Sequence, residues 1–480
     1  MEAAGRERRR LLLLGTFVQT KADRQLQVMQ ETAIAVDEQG VIVGIERAQQ
    51  EGQDAHSAGQ RLLGQLGWEA ESVDECSSGP EGFFFPGLID THVHAAQYAN
   101  VGLFGKTTLL DWLERYTFPL EASLCDVAKA RRMWRACVDR TLAHGTTTAA
   151  YYGVVDVEAT NALMDECVAR GQRALVGRVC MDAKEVNPAW YRDETAAEAL
   201  EATLRTVEHA RRVDAAGALV EPVLTPRFAP SCSMALMEAL GKLQREEGLA
   251  VQTHLSETRE ELALVRRLFP DAASYTAVYD AARLLTPRTI LAHGIHLGDD
   301  EARLIAQRGS SVAHCPCSNT ALASGRARVG WLWRHGIAVG LGTDMSGGYS
   351  PSVLEAARQA LLVSRNLAMD AAANPDAADD FDCNLSVDDV LFLATRGGAI
   401  ALGLDHKIGA FDLGLQWDAQ LIHLDTPEHH SFARGNVDVF GWESCQERVA
   451  KWLFNGDDRN TLKVWVQGRL VHSRPVKHDM

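Results

Sequence analysis

Phe83-Phe84-Phe85-Pro86-Gly87-Leu88-Ile89-Asp90-Thr91-His92-Val93-His94 is the stretch from which the rest of the chain can be read. The run Phe83–Ile89 reads as a strand, and two histidines two positions apart follow it. In extended backbone such residues project to one side, so His92 and His94 can share one ion while Val93 turns toward packing. Further short β-branched runs follow at Thr146–Tyr152, Ala174–Cys180, Ala218–Leu224, Leu249–Thr253, Thr289–Ala292, Ser311–Ala313 and Ile337–Gly342, separated by long Ala/Leu/Arg/Glu stretches of helical period. That alternation gives a parallel sheet with crossover helices, and a span of about 320 residues holds an α/β fold of the (β/α)8 barrel type with loop insertions. His254 ends the fifth run, His293 the sixth and Asp344 the eighth. These are C-terminal strand ends, the face of such a barrel on which loops converge and chemistry is done.

Outside the barrel the period changes. Between Gly15 and Gly44 apolar and polar residues alternate (Leu26, Val28; Ile34, Val36; Val41, Val43, Ile45), with Asp37-Glu38-Gln39-Gly40 placed as a hairpin turn. Strand-like text returns at Ala419–Leu424 and Val464–Val471, the latter broken by the turn Gln467-Gly468-Arg469. The two chain ends are therefore expected to share one small β-sheet domain: residues 1–82 and 404–480 around a barrel of residues 83–403. The Ala/Asp-rich segment Asp370–Asp382 reads as a mobile insertion. Arg6-Glu7-Arg8-Arg9-Arg10 before Leu11–Leu14 reads as a surface arm entering a first strand, because the apolar run is short and meets Lys21-Ala22-Asp23 rather than a cleavage site.

Composition narrows the partners. With 46% hydrophobic and 23% charged residues the 480-residue chain has ordinary globular arithmetic, and its net charge of −16 disfavours nucleic acid and anionic membranes. No apolar run approaches the roughly 20 residues that span a bilayer. The 10 cysteines have no C-x-x-C or framework spacing, which suits a reduced chain and a cytoplasmic location. An isolated H-x-H pair is a weak metal signal, but adding His254 and Asp344 makes a three-imidazole, one-carboxylate set suited to Zn²⁺ with a position open for water. His144, His296, His314, His335, His429 and His430 are read as structural or surface residues. Cys315-Pro316-Cys317 is read as structural too, since no further thiols stand nearby.

Phe85–His94, Thr253-His254-Leu255-Ser256-Glu257, Ala292-His293-Gly294 and Gly342-Thr343-Asp344 together resemble the amidohydrolase superfamily over nearly the whole chain. Leu109-Leu110-Asp111-Trp112-Leu113-Glu114-Arg115-Tyr116-Thr117-Phe118-Pro119, Thr225-Pro226-Arg227-Phe228 and Gly456-Asp457-Asp458-Arg459-Asn460 are similar, more narrowly, to its guanine-deaminating branch. The resemblance implies hydrolysis of guanine and water to xanthine and ammonia in a homodimer, with one zinc per chain held by His92, His94, His254 and Asp344. It assigns proton transfer to Glu257 and Asp344, and stabilisation of the attacking oxygen to His293. It places His94, Ala95, Ala96, Gln97, Arg227, Phe228, His254, Glu257 and Asp344 against the substrate, with Trp112 in the pocket wall. Two stretches depart from the branch: Ala95-Ala96-Gln97 stands for Ala-Ser-Gln, and Cys315 or Cys317 stands where asparagine is usual. The alternatives are a hydrolase of another small heterocycle (an adenosine-like purine, cytosine or a triazine) and a non-catalytic scaffold that keeps the barrel. The cytidine-deaminase type of zinc site is excluded, because Pro316-Cys317-Ser318-Asn319-Thr320 lacks the second cysteine of P-C-x-x-C.

Overall fold

The computed structural model describes residues 9–49, 52–103, 109–373, 384–426 and 436–474. Strands β1 (Arg10–Thr20), β2 (Leu26–Val36), β3 (Ile42–Arg47), β4 (Val73–Ser77) and β5 (Gly82–Pro86) precede the barrel strands β6 (Leu88–His94), β7 (Thr146–Tyr152), β8 (Arg173–Gly177), β9 (Val179–Cys180), β10 (Val220–Pro226), β11 (Ala250–Leu255), β12 (Thr289–His293), β13 (Ser311–His314) and β14 (Val339–Leu341). The last three, β15 (Ala419–His423), β16 (Thr461–Val466) and β17 (Arg469–Ser473), return to the first sheet, whose order is β17-β16-β15-β5-β1-β2-β3 with β4 alongside β1. Sequence-distant ends thus complete one sheet, as the alternating pattern predicts. Its core is aromatic: Phe17 stacks on Phe84 at 4.9 Å and Trp417 on Phe411 at 4.9 Å.

The barrel strands run β6-β7-β8-β10-β11-β12-β13-β14, all parallel, with β9 added beside β10. Apart from Glu221, Pro222 and His254, every residue of these strands is buried, which is why they read as continuous apolar or Thr-rich runs rather than alternating ones. Ile89, Ala150, Leu175, Val223, Ala250, Ile290 and Ala313 fill the interior, and Ala399, Leu402, Leu404 and Ile408 join them from the helix Arg396–Leu402 and the segment after it.

Two sequence expectations need correction. Phe83–Ile89 is not one strand: residues up to Pro86 pair antiparallel with β15 in the outer sheet, and a new strand starts at Leu88, so His92 and His94 lie inside β6 and not after it. The reason is local. Pro86 has no N–H to continue a ladder, and Gly87 passes so near Thr147 that a Cβ there would meet its Oγ1 at 2.1 Å. Ala174–Cys180 likewise splits into β8 and β9 around Arg178, whose guanidinium is buried in an ion pair with Asp193. Of Asp370–Asp382, residues 370–373 end the helix Val353–Ala373, and the remainder lies outside the described residues, as do His429, His430 and residues 6–8.

The barrel closes between β6 and β14 through a seam of specific bonds. Thr91 Oγ1 donates to the Leu341 carbonyl at 2.9 Å, the Asp344 N–H to the His92 carbonyl at 2.9 Å, and the His94 N–H to the Met345 carbonyl at 3.1 Å. The fully buried Asp90 carboxylate accepts from the Thr343 N–H at 2.9 Å and its Oγ1 at 2.5 Å. Gly340 and Gly342 permit the approach: Cβ atoms there would meet Thr91 Cγ2 at 2.5 Å and His92 Cβ at 2.8 Å. Asp90→Ala leaves three buried donors unanswered, the Thr343 N–H and hydroxyl and the His92 N–H, so unfolding by denaturant should show a loss on the order of 2–4 kcal/mol. Unchanged stability would mean that the seam does not depend on this carboxylate.

Candidate active site

At the C-terminal mouth of the barrel, β6 delivers His92 and His94, β11 delivers His254, and the turn after β14 delivers Asp344; one ligand atom from each lies within 4.8 Å of all the others. His94 Nε2 is 3.1 Å from His254 Nε2, and Asp344 Oδ1 is 3.2 Å from His92 Nε2 and 3.5 Å from His94 Nε2. Burial lowers the pKa of all three imidazoles, well below the ordinary range for His94 and His254, so they offer lone pairs rather than protons. His254 Nδ1–H is committed to the Arg227 carbonyl at 2.5 Å, which leaves its Nε2 lone pair facing the other ligands. His92 Nε2 is buried and has no partner besides the Asp344 carboxylate. At Asp344 burial is outweighed by the adjacent His92 and His293 imidazoles, and its carboxyl is held well below the usual carboxylate range. Convergent neutral imidazoles with an ionised carboxylate fit one divalent cation.

The proton-handling groups stand beside this set. His293 Nε2 is 3.5 Å from Glu257 Oε2 and 3.8 Å from Asp344 Oδ2, while its Nδ1–H bonds Asn319 Oδ1 at 2.8 Å. Burial works against the imidazolium, but Glu257 and Asp344 prevail and raise the His293 pKa. Burial pushes the Glu257 carboxyl up to about 7, with His293 opposing it. Ser324 Oγ–H donates to Glu257 Oε1 at 2.9 Å, and the Glu257 N–H donates to Glu261 Oε2 at 2.7 Å. Glu261 is also the N3 member of the box that caps the helix Arg259–Leu268, so the helix start fixes the backbone that carries Glu257. His293 (φ 74°), Asp344 (φ 45°) and Ser256 (φ 52°) occupy the left-handed region, backbone strain concentrated where side chains are aimed into one space.

That space is a cavity of about 410 Å³ of empty volume, part of it open to solvent. His94, His254, His293, Glu257, Glu261 and Asp344 line one part; Trp112, Leu109, Leu113, Phe228 and Leu322 give apolar walls; Gln97 and Arg227 supply polar edges. Ala95 and Ala96, assigned to substrate from sequence, are instead buried with Val93 and Trp134 and do not line it.

Arg227 is not the surface residue that arginine usually is. Its guanidinium is buried, 5.1 Å from the Phe118 ring, and bidentate to Glu121: Nη1 to Oε2 at 2.6 Å and Nη2 to Oε1 at 3.1 Å. Glu121 also accepts from Gln97 Nε2 at 2.9 Å and Tyr191 Oη at 2.7 Å. Glu121, Tyr191 and Ser324 carry no sequence signal of this role. Glu261 does, through Thr258-x-x-Glu261 as a capping box, and Asn319 sits within the motif quoted after the seventh run. Cys315 and Cys317 are buried, unpaired thiols and join no metal-binding group among the described residues.

Residues 83–471 match the amidohydrolase family. The chain is 43% identical over 401 residues to a probable guanine deaminase of Schizosaccharomyces pombe, covering 84% of this chain and 73% of that one. It is 37% identical over 460 residues to the guanine deaminase of Homo sapiens, covering 95% of each. Among solved structures, guanine deaminase from C. acetobutylicum with bound guanine superposes with a TM-score of 0.82 at 28% identity, covering 96% of this chain and 100% of that one.

His254→Ala removes one of the four donors. Elemental analysis of dialysed protein should find about one divalent cation per wild-type chain and a small fraction of that in the variant. Circular dichroism should show the barrel intact in both. Equal metal content in the two proteins would remove His254 from the ligand set.

Proposed function

Because the chain belongs to the amidohydrolase family, we propose that it hydrolyses guanine to xanthine and ammonia with one Zn²⁺ per chain, and that His92, His94, His254 and Asp344 hold the ion. The supporting relatives span nearly its full length. The observation that carries the reading within this chain is the sharing of one cavity: His94, His254 and Asp344 of the donor set and the Glu257–His293 pair line it, and so do Arg227 and Gln97, which Glu121 holds from behind and which offer fixed donors to a flat polar heterocycle. Trp112, Leu113 and Leu322 exclude water, and Phe228 serves as the apolar surface against the ring.

When bound, the cation supplies Lewis acidity and lowers the pKa of a coordinated water toward ~7. Asp344, whose carboxyl is held below the usual carboxylate range, is placed to accept a proton from the nucleophile. Glu257, with its pKa near 7, can give its proton to a ring nitrogen and, after regaining one from the attacking oxygen, deliver that proton to the departing amine. His293, held toward its cationic form and oriented by Asn319, donates from Nε2 to the attacking oxygen. Gln97 and Arg227 hydrogen-bond the edges of the base, whose desolvation would otherwise be costly.

The rival heterocycles use the same donors and differ at the polar edge, whereas a scaffold would need none of this. Ammonia release from guanine, adenine, guanosine and cytosine, measured on one zinc-loaded preparation, tests the reading: release from guanine is expected, and release from adenine or cytosine without guanine would overturn it. Two further proposals follow the resemblance. A homodimer is checked by light scattering, and a cytoplasmic address, which suits nine unpaired cysteines among the described residues, by fractionation.

Glu257→Gln keeps the shape of the site and removes its proton carrier. Turnover of guanine should fall by roughly 10²–10⁴ while zinc content and xanthine binding persist. Near wild-type turnover with full zinc would transfer the proton to another group.

A further inference from the structure

Resting on the guanine reading above, we propose that Glu121 is a specificity-determining positioning residue: it cancels the charge of Arg227, so that the pocket takes a neutral purine and does not hold an anionic one. The geometry is a single buried carboxylate with four incoming bonds, two from Arg227 and one each from Gln97 and Tyr191. These partners come from separate loops at the barrel mouth. Glu121 lies on the short helix Phe118–Ala122, Gln97 follows β6, Tyr191 lies between β9 and β10, and Arg227 follows β10. Both base-reading residues are therefore aimed by the same two oxygens.

The electrostatic consequence is separable from the aiming. A bare guanidinium on the wall of a low-dielectric cavity attracts anions strongly, and a bidentate carboxylate behind it removes most of that field while leaving the N–H donors in place. The reaction makes this matter. Guanine is neutral around neutrality, whereas xanthine, with a carbonyl in place of the amine, is the more acidic purine and gives up a proton in mildly alkaline solution. With Arg227 uncompensated, the site would bind its product more tightly as the product ionises. Close to Glu121, Tyr191 is kept neutral by burial, and Arg178 and Asp193 compensate each other.

The test is a ratio. In mildly alkaline buffer xanthine is largely the monoanion and hypoxanthine largely neutral; both are measured against the zinc-loaded protein, as competitive inhibitors of guanine turnover and, independently of turnover, by equilibrium dialysis. Glu121→Gln should tighten xanthine relative to hypoxanthine by about tenfold. Arg227→Gln leaves the opposite charge uncompensated and should shift the ratio the other way. The double variant, neutral again, should return near the wild-type ratio, and it serves as the folded comparison should either lone charge prevent folding. A ratio unchanged in both single variants, or still shifted in the double variant, overturns the proposal; a parallel loss for both purines would reduce Glu121 to a structural part. Were wild-type protein to release no ammonia from guanine, the proposed function would fail while dialysis still read the charge effect.

Discussion

Closure of the barrel between its first and last strands is the constraint on which the site depends. His92 and His94 belong to β6 and Asp344 to the turn after β14, strands that are far apart in sequence and adjacent only because the sheet closes. Asp90, two residues before His92, accepts both donors of Thr343, one residue before Asp344. The carboxylate thus fixes the register of two ligand-bearing segments directly, and Gly340 and Gly342 let them approach. The remaining ligand, His254, is tied from its Nδ1 to the backbone of Arg227 on the neighbouring strand end. Ladder bonds between strands therefore set the positions from which the metal-facing nitrogens are aimed.

The barrel and its metal-facing residues were legible because they obey simple periods. Parallel strands buried on both faces appear as short apolar runs, and ligands at strand ends appear where those runs stop. The misplaced boundary at Phe83–Ile89 shows the limit: apolar text continues across Pro86-Gly87 while the chain leaves one sheet for another, and only the closeness of Thr147, a tertiary fact, marks the change. Of the residues that the resemblance places against the substrate, Gln97 and Arg227 line the cavity, whereas Ala95 and Ala96 pack inward. Glu121 and Tyr191 were illegible because their meaning lies in a carboxylate meeting a guanidinium 106 residues away, and no local period encodes that pairing.

The loop after the seventh strand has a similar concealed role. Asn319 orients the His293 ring and Ser324 donates to Glu257, so one short segment orients both groups proposed to handle protons. His296 Nε2 meets the Ser324 carbonyl at 2.9 Å, tying that segment back to the turn after β12. The cysteines in the same segment do none of this. Cys315 Sγ reaches the Ala313 carbonyl at 3.5 Å within the strand, and its side chain lies against Gly342 at the seam.

Charge pairing explains why so many ionisable groups can be buried in one barrel mouth. Isolated charges in such a place would be neutralised by proton transfer, and two outcomes stand side by side: burial lowers the pKa of His94 and His254 toward the neutral imidazole, while Arg227 and Glu121 stand together as a bidentate pair. The two solutions serve different partners. Neutral imidazoles beside an ionised Asp344 leave a net attraction for a cation, so that part of the cavity is selective by charge. The compensated guanidinium leaves donors without net charge, so the polar edge is selective by hydrogen-bond direction. A neutral base carrying a poor leaving group needs both, a charged centre where bonds change and an uncharged edge where the ring is recognised. Glu257 stands between them with a pKa near neutrality, because burial raises it and His293 restrains the rise.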